Sequence, residues 1–135
     1  MTAIDFGVPA EVAYAYLVDP RNRPAWQSSL RRVEDVTPAE PVVGQTWIDV
    51  TSPGLRPAME TVALEPDTLW TERGTWRGIT AELTLRFAPT EGGCTVTAEM
   101  SVRGRGLLAP LGPVITALAG LAVPADLKRA AGLLS

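Results

Sequence analysis

Apolar and polar residues alternate along much of the second half of the chain. Residues 81–87 read Ala-Glu-Leu-Thr-Leu-Arg-Phe, and residues 95–102 repeat the pattern with threonine, glutamate and serine between apolar side chains. Successive side chains of a strand point to opposite faces. Each run therefore predicts a strand with one buried and one solvated face, extending over about residues 79–88 and about residues 94–104.

Four more segments are rich in valine, threonine, isoleucine and tryptophan, at about residues 30–37, 44–52, 56–65 and 68–76. Turn-like sequences such as Pro53-Gly54 and Gly92-Gly93 separate the segments. Consecutive strands joined by short turns favour an antiparallel meander. We therefore predict a meander of six strands, to which a short edge strand near the N-terminus adds a seventh.

Helical patterns lie on both sides of this meander. Pro9 predicts the first turn of a helix, which Asp19-Pro20 ends at about Val18, and Asp19 is placed to cap a second short helix that carries Trp26. Near the C-terminus, residues 106–125 carry no charge. Four of them share a helical face at the expected spacing, namely Leu111, Ile115, Leu118 and Ala122.

The uncharged run is long enough for a membrane span, but its prolines and glycines favour a buried helix. Gly120 and Pro124 are expected to bend or interrupt that helix, and residues 125–134 to continue it with a more polar surface. Contact with a membrane, or a homodimer formed through this segment, is the alternative reading.

The amino-acid composition excludes several classes of ligand and reaction. The chain has 135 residues, 46% of them apolar, and a net charge of -3, which predicts one domain and gives no basic surface for nucleic acid. Histidine is absent and Cys94 is the single cysteine, so catalysis by Ser-His-Asp or Cys-His and cysteine metal clusters are excluded. We predict no metal and no cofactor.

No basic start followed by an apolar run precedes residue 6, so a cytoplasmic protein without a signal peptide is expected.

The order of elements and several motifs resemble the START-like superfamily, also called SRPBCC, with its polyketide cyclase/dehydrase-like and Bet v 1-like members. The most specific stretch is VPAEVAYAYLVDPRNRPAW at residues 8–26. Three weaker motifs follow in the expected order: VGQTW at 43–47, LEP at 64–66 and EGGCTV at 91–96.

The resemblance implies an α+β helix-grip fold. A curved antiparallel sheet of six to seven strands wraps a long C-terminal helix, and two short helices follow strand 1. A curved sheet and one helix leave room between them, so the resemblance also implies a cavity for a lipid, a polyketide or an aromatic compound. One fold hosts many functions, so this likeness does not define any chemistry.

Apolar side chains on the predicted inner faces are candidates for lining the cavity, and for the three strand tryptophans ordinary core and sheet packing is the favoured interpretation. They are Trp47, Trp70, Trp76, Met59, Leu83, Leu85, Met100, Leu111, Ile115 and Leu118.

Three acids are candidates for catalysis because a carboxyl group in an apolar cavity has a raised pKa. Asp49 shares strand parity with Trp47, Glu72 with Trp70, and Glu60 with Val62 and Leu64, which predicts inward positions. For each acid, however, a solvated place on the sheet surface is favoured over the inward position. Arg73 and Arg103 are left as unsupported partners for an anionic ligand group.

Three functions remain open. The first is a carrier or sensor that binds an apolar small molecule without changing it. The second is a polyketide cyclase-type enzyme that uses cavity carboxylates for acid-base chemistry. The third is an interaction or co-chaperone-like module, which predicts an exposed apolar patch and a collapsed interior.

Overall fold

A computed structural model describes residues 2–52 and 54–134, the side chains of residues 117–121 excepted. Seven antiparallel strands form a sheet in the order β1-β7-β6-β5-β4-β3-β2. Their bounds are Thr2–Phe6 for β1, Leu30–Thr37 for β2, Thr46–Thr51 for β3, Ala58–Glu65 for β4, Leu69–Trp76 for β5, Ile79–Thr90 for β6 and Gly93–Gly104 for β7. The predicted meander is confirmed, and β1 joins it by pairing with β7.

The helices follow the predicted order. They are α1 at Ala10–Leu17, α2 at Arg23–Trp26 and α3 at Leu111–Leu134, with 3-10 turns at Pro20–Asn22 and Gly106–Leu108. The Asp19 carboxylate accepts a hydrogen bond from the Arg21 backbone N–H at 3.0 Å, which caps the turn that leads into α2. Of the bend or interruption predicted for the last helix, the interruption does not occur, because α3 continues through Pro124.

Helix α3 packs on β7 and β1 and also meets α2, which completes the predicted helix-grip arrangement. Close approach to β7 depends on Gly112, where a Cβ would lie 2.7 Å from the Val102 carbonyl oxygen. One turn later, Thr116 Oγ1 accepts a hydrogen bond from the Val102 N–H at 3.0 Å and donates one to the Gly112 carbonyl at 2.8 Å. The N-terminal part of α3 is therefore held against the sheet.

The alternation predicted for β6 and β7 is confirmed. Leu83, Leu85 and Phe87 are buried on β6, as are Val96 and Ala98 on β7. The pairing of the two strands runs without a shift in register from end to end. Cys94 is also fully buried in this hairpin, and burial raises the pKa of its thiol.

Strand β4 departs from simple alternation. Its pairing with β5 shifts between Thr61 and Ala63, which is the signature of a β-bulge. Thr61 pairs with Glu72 and Leu64 with Trp70, so an odd and an even residue of β4 lie on the same inner face. The inward position that parity with Leu64 indicates for Glu60 is therefore wrong, and the solvated position is correct. Glu60 is exposed, because the bulge reverses the parity between the two residues.

Candidate functional site

A cavity of about 530 Å³ lies between the sheet and α3. Its size falls within the range of roughly 300–1,000 Å³ that is typical of small-molecule sites. Most of its wall is apolar and comes from strands β4 to β7 together with α3. The inner side of the helix-grip fold is therefore incompletely filled.

Six of the predicted lining residues do line this cavity. They are Met59, Trp76, Leu83, Leu85, Met100 and Ile115. The rest of the apolar wall includes Trp26, Ile79, Ala81, Val123 and Leu127. Contact between any of these side chains and a ligand remains a prediction.

Four predicted lining residues are placed otherwise. Trp47 and Trp70 are almost completely buried, but they pack in the core and do not border the cavity. Leu111 is 42% exposed at the start of α3, because Gly112 is the residue that faces β7 there. The side chain of Leu118 lies outside the described residues.

One end of the cavity is polar and is built around a buried ion pair, Arg23–Glu72. Arg23 Nη1 donates a hydrogen bond to Glu72 Oε2 at 2.8 Å, and Nη2 donates to Glu72 Oε1. The two residues are 3% and 4% exposed. The guanidinium carbon also lies 4.9 Å from the ring centroid of Trp26 and 5.5 Å from that of Trp70. Aromatic faces therefore hold the guanidinium in addition to the carboxylate.

Asp49 and Asp126 bring two more carboxyl groups to the same end of the cavity, and both are buried. Asp49 Oδ1 accepts a hydrogen bond from Trp47 Nε1 at 2.9 Å, and Asp126 Oδ1 accepts one from the Ser28 N–H at 3.2 Å. Burial raises the pKa of Asp49 to about 6, although Arg23 acts against the rise. Asp49 thus titrates close to neutral pH, as an acid-base group requires.

Burial acts to lower the pKa of Arg23, but its acidic neighbours overcome this effect. Glu72 contributes most to the opposing effect, and Asp49 and Asp126 add to it, so that the pKa of the guanidinium is raised. Arg23 is therefore a permanent cation in the wall of the cavity. We name the four residues Arg23, Asp49, Glu72 and Asp126 the polar end.

Arg23 and Asp126 were not predicted as site residues. A detectable signal for Arg23 was its spacing from Trp26, since residues three apart share a face of a helix. A second signal was Glu72 itself, because a carboxylate predicted to face an apolar interior needs a cationic partner. Asp126 gives no comparable signal in the polar last part of α3.

The two arginines named as partners for an anionic ligand group do not reach the cavity. Arg73 and Arg103 are exposed and are not among its lining residues. Within the described part of the chain, no cluster of three histidine, cysteine, aspartate or glutamate side chains is arranged to hold a metal ion. No helix of the described residues has both the length and the apolar character needed to cross a membrane.

The fold and its cavity define a START-like protein of the helix-grip class. More specifically, the chain belongs to the family described as polyketide cyclase / dehydrase and lipid transport, whose model matches residues 2–134. A comparison with curated proteins finds no match.

Solved structures support the same fold. A START superfamily protein from Mycobacterium smegmatis has a TM-score of 0.76 at 11% identity, with 98% of this chain and 94% of that chain covered. Ara h 8.0201 has a TM-score of 0.74 at 14% identity, with 98% and 94% covered. The di-domain ARO/CYC StfQ from the steffimycin biosynthetic pathway has a TM-score of 0.76 at 15% identity. The match covers 98% of this chain and 49% of StfQ.

Proposed function

We propose that this protein binds an apolar small molecule in the cavity between the sheet and α3. The observation that carries the proposal is a space of about 530 Å³ with a mostly apolar wall and one polar end. Such a site favours an apolar body through burial and orients it through a few polar contacts. The family description, which includes lipid transport, agrees with this function. The alternative of an interaction module predicts a collapsed interior, and the presence of this cavity argues against it.

Filling the cavity tests the proposal. Ala81 lines the cavity on β6, whereas Ala88 is exposed on the same strand. The neutral fluorophore N-phenyl-1-naphthylamine brightens in apolar sites and serves as the probe. We expect Ala81→Phe to weaken its binding by about tenfold or more, which corresponds to about 1.4 kcal/mol. The matched variant Ala88→Phe leaves binding unchanged. Equal binding by both variants, with folding confirmed by circular dichroism, would place the ligand elsewhere.

A second candidate function is acid-base catalysis on a bound ketone. It is favoured by Asp49, a carboxyl group in the cavity wall whose pKa burial raises to about 6. The carboxylate would remove a proton from the carbon next to a carbonyl group, and the resulting enolate is the nucleophile of aldol closure. When no closure follows, the protonated carboxyl group returns a proton to the enolate carbon, which exchanges the hydrogen there. The family description includes cyclases and dehydrases, and one structural neighbour is described as an ARO/CYC.

Deuterium uptake separates catalysis from binding. With 2-tetralone in heavy water, the enzyme reading expects the protein to accelerate deuterium incorporation next to the carbonyl group, as measured by mass spectrometry. Asp49→Asn should return the rate to background while N-phenyl-1-naphthylamine still binds. Glu60→Gln, on the exposed side of β4, is the matched control and should keep the wild-type rate. Binding without any protein-dependent uptake would leave the carrier as the better reading.

A further inference from the structure

The charges at the polar end do not balance. One guanidinium, that of Arg23, is acted on by three carboxyl groups, those of Glu72, Asp49 and Asp126. Both terminal nitrogens of Arg23 donate hydrogen bonds to Glu72, so these two residues form a matched pair. Among the described residues that line the cavity, Arg23 is the only cation. Asp49 and Asp126 therefore have no cation of their own in the cavity wall.

Both aspartates have a free carboxylate oxygen at the cavity. Each accepts one hydrogen bond through Oδ1, and Oδ2 has no partner among the described residues. The side chains of Asp49 and Asp126 line the cavity, and the two residues are 5% and 7% exposed. Arg23 Nε and Trp26 Nε1 are sealed by the atoms around them, whereas the two Oδ2 atoms are not. A group inside the cavity can therefore contact these oxygens.

We propose that the occupant of the cavity is an apolar molecule that carries an ammonium group, and that this group binds at the free oxygens of Asp49 and Asp126. The proposal rests on the proposed binding function and specifies its ligand class. An ammonium group donates hydrogen bonds and accepts none, which matches oxygen atoms that only accept them. Its positive charge also supplies the partner that a buried carboxylate requires.

Other polar groups fit this end of the cavity less well. A ligand carboxylate has no hydrogen to donate, and Asp49 and Asp126 repel its charge. A neutral polar group can donate a hydrogen bond but leaves the negative charge of the aspartates unbalanced. A metal ion needs several oxygen ligands, whereas the cavity wall beyond the polar end is mostly apolar. An organic ammonium matches both parts of the cavity, because its apolar body contacts the wall while its charge meets the aspartates.

Competition between three ligands with one bicyclic body tests the proposal. 2-Aminotetralin, 2-tetralol and tetralin-2-carboxylate are titrated against protein loaded with N-phenyl-1-naphthylamine at pH 7.5, where the amine is protonated and Asp49, with its pKa of about 6, is ionised. We expect the amine to displace the probe at a concentration about tenfold lower than the alcohol, and the carboxylate to bind most weakly. An amine-to-alcohol preference below about threefold, or tighter binding of the carboxylate, would overturn the ammonium assignment alone. No binding of the probe or of any of the three ligands would overturn the proposed function itself.

Variants of the two aspartates separate the cavity from the acidity of the whole chain. Asp49→Asn and Asp126→Asn each remove one negative charge but keep an oxygen for the hydrogen bond that the aspartate accepts. Each should weaken binding of 2-aminotetralin about tenfold and that of 2-tetralol by less than about threefold, and either serves if the other fails to fold. Glu60→Gln removes one negative charge from the exposed side of β4 and should alter neither affinity. An equal loss in Glu60→Gln, or an unchanged preference in both aspartate variants, would refute the assignment.

Discussion

Two arginine–glutamate pairs lie on opposite faces of strand β5. Glu72 faces inward and is buried with Arg23, whereas the next residue, Arg73, faces outward and donates a hydrogen bond from Nε to Glu82 Oε2 at 2.8 Å. Both pairs have hydrogen-bond geometry. The side chains of the outer pair are 46% and 28% exposed, while those of the inner pair are 3% and 5% exposed.

The two pairs differ in their exposure to water, and this difference determines how much each one contributes to stability. Water already solvates Arg73 and Glu82, so breaking their contact costs little. Arg23 and Glu72 are desolvated, so each needs the other as its charge partner. The rings of Trp26 and Trp70 also contact the guanidinium. The fold therefore depends on the inner pair at the edge of the cavity, whereas the outer pair is a surface contact that contributes little to stability.

Removing the buried cation should have the largest effect. Arg23→Met leaves Glu72, Asp49 and Asp126 without their cationic neighbour, so we expect the free energy of unfolding to fall by about 3–5 kcal/mol. Urea denaturation followed by circular dichroism measures the loss. Arg23→Lys should recover only part of it, because an ammonium group does not reproduce the paired geometry and the stacking on tryptophan. A loss below about 1 kcal/mol in Arg23→Met would show that the two pairs are alike.

The second effect concerns pH and Asp49. Its folded pKa of about 6 lies above its ordinary value of 3.8. Protonation of Asp49 therefore stabilises the folded state, and this contribution is fully present below about pH 4. It is lost as the pH rises through about 6, which lowers the free energy of unfolding by about 2–3 kcal/mol. An asparagine does not titrate, so Asp49→Asn removes this loss. The free energy of unfolding of the variant should therefore rise relative to that of the wild type between pH 4 and pH 7.5, as measured by urea titrations at each pH. A constant difference across that range would contradict the raised pKa.

The smallest effect belongs to the outer pair. Glu82→Gln should lower the free energy of unfolding by no more than about 1 kcal/mol, because the pair is solvated and salt screens it. The same urea experiment at low and high salt checks both statements. A loss comparable with that of Arg23→Met would remove the contrast between the two faces of β5.

The strands and their inner faces were largely predictable where the ladder is regular. The pairing of β6 with β7 is unshifted, so a period of two carries from Leu83 to Phe87 without error. In β4 the bulge inserts one extra residue, and the parity of Leu64 does not extend to Glu60. A single-residue insertion in a ladder leaves no clear mark in the sequence, so this error could not be foreseen.

The position of the site along the strands was less predictable than its face. Parity related Glu72 to Trp70, and both are buried, so the solvated position favoured for Glu72 is wrong. Alternation does not indicate how far the void extends, and Trp70 lies beyond its border. Arg23 shows a further limit, because composition alone does not separate a buried arginine from the many exposed ones.

Among the described residues, two side chains anchor helix α3 by hydrogen bonds: Thr116 bonds to β7, and Asp126 bonds to the backbone N–H of Ser28. Ten residues separate these anchors, which corresponds to a span of about 15 Å. Ala122 and Val123 lie between them and face the void. Exchanging a small side chain for a larger one in that span changes the room for an occupant while both anchors stay in place. Selection for ligand size and selection for stability can therefore act on different residues of one helix.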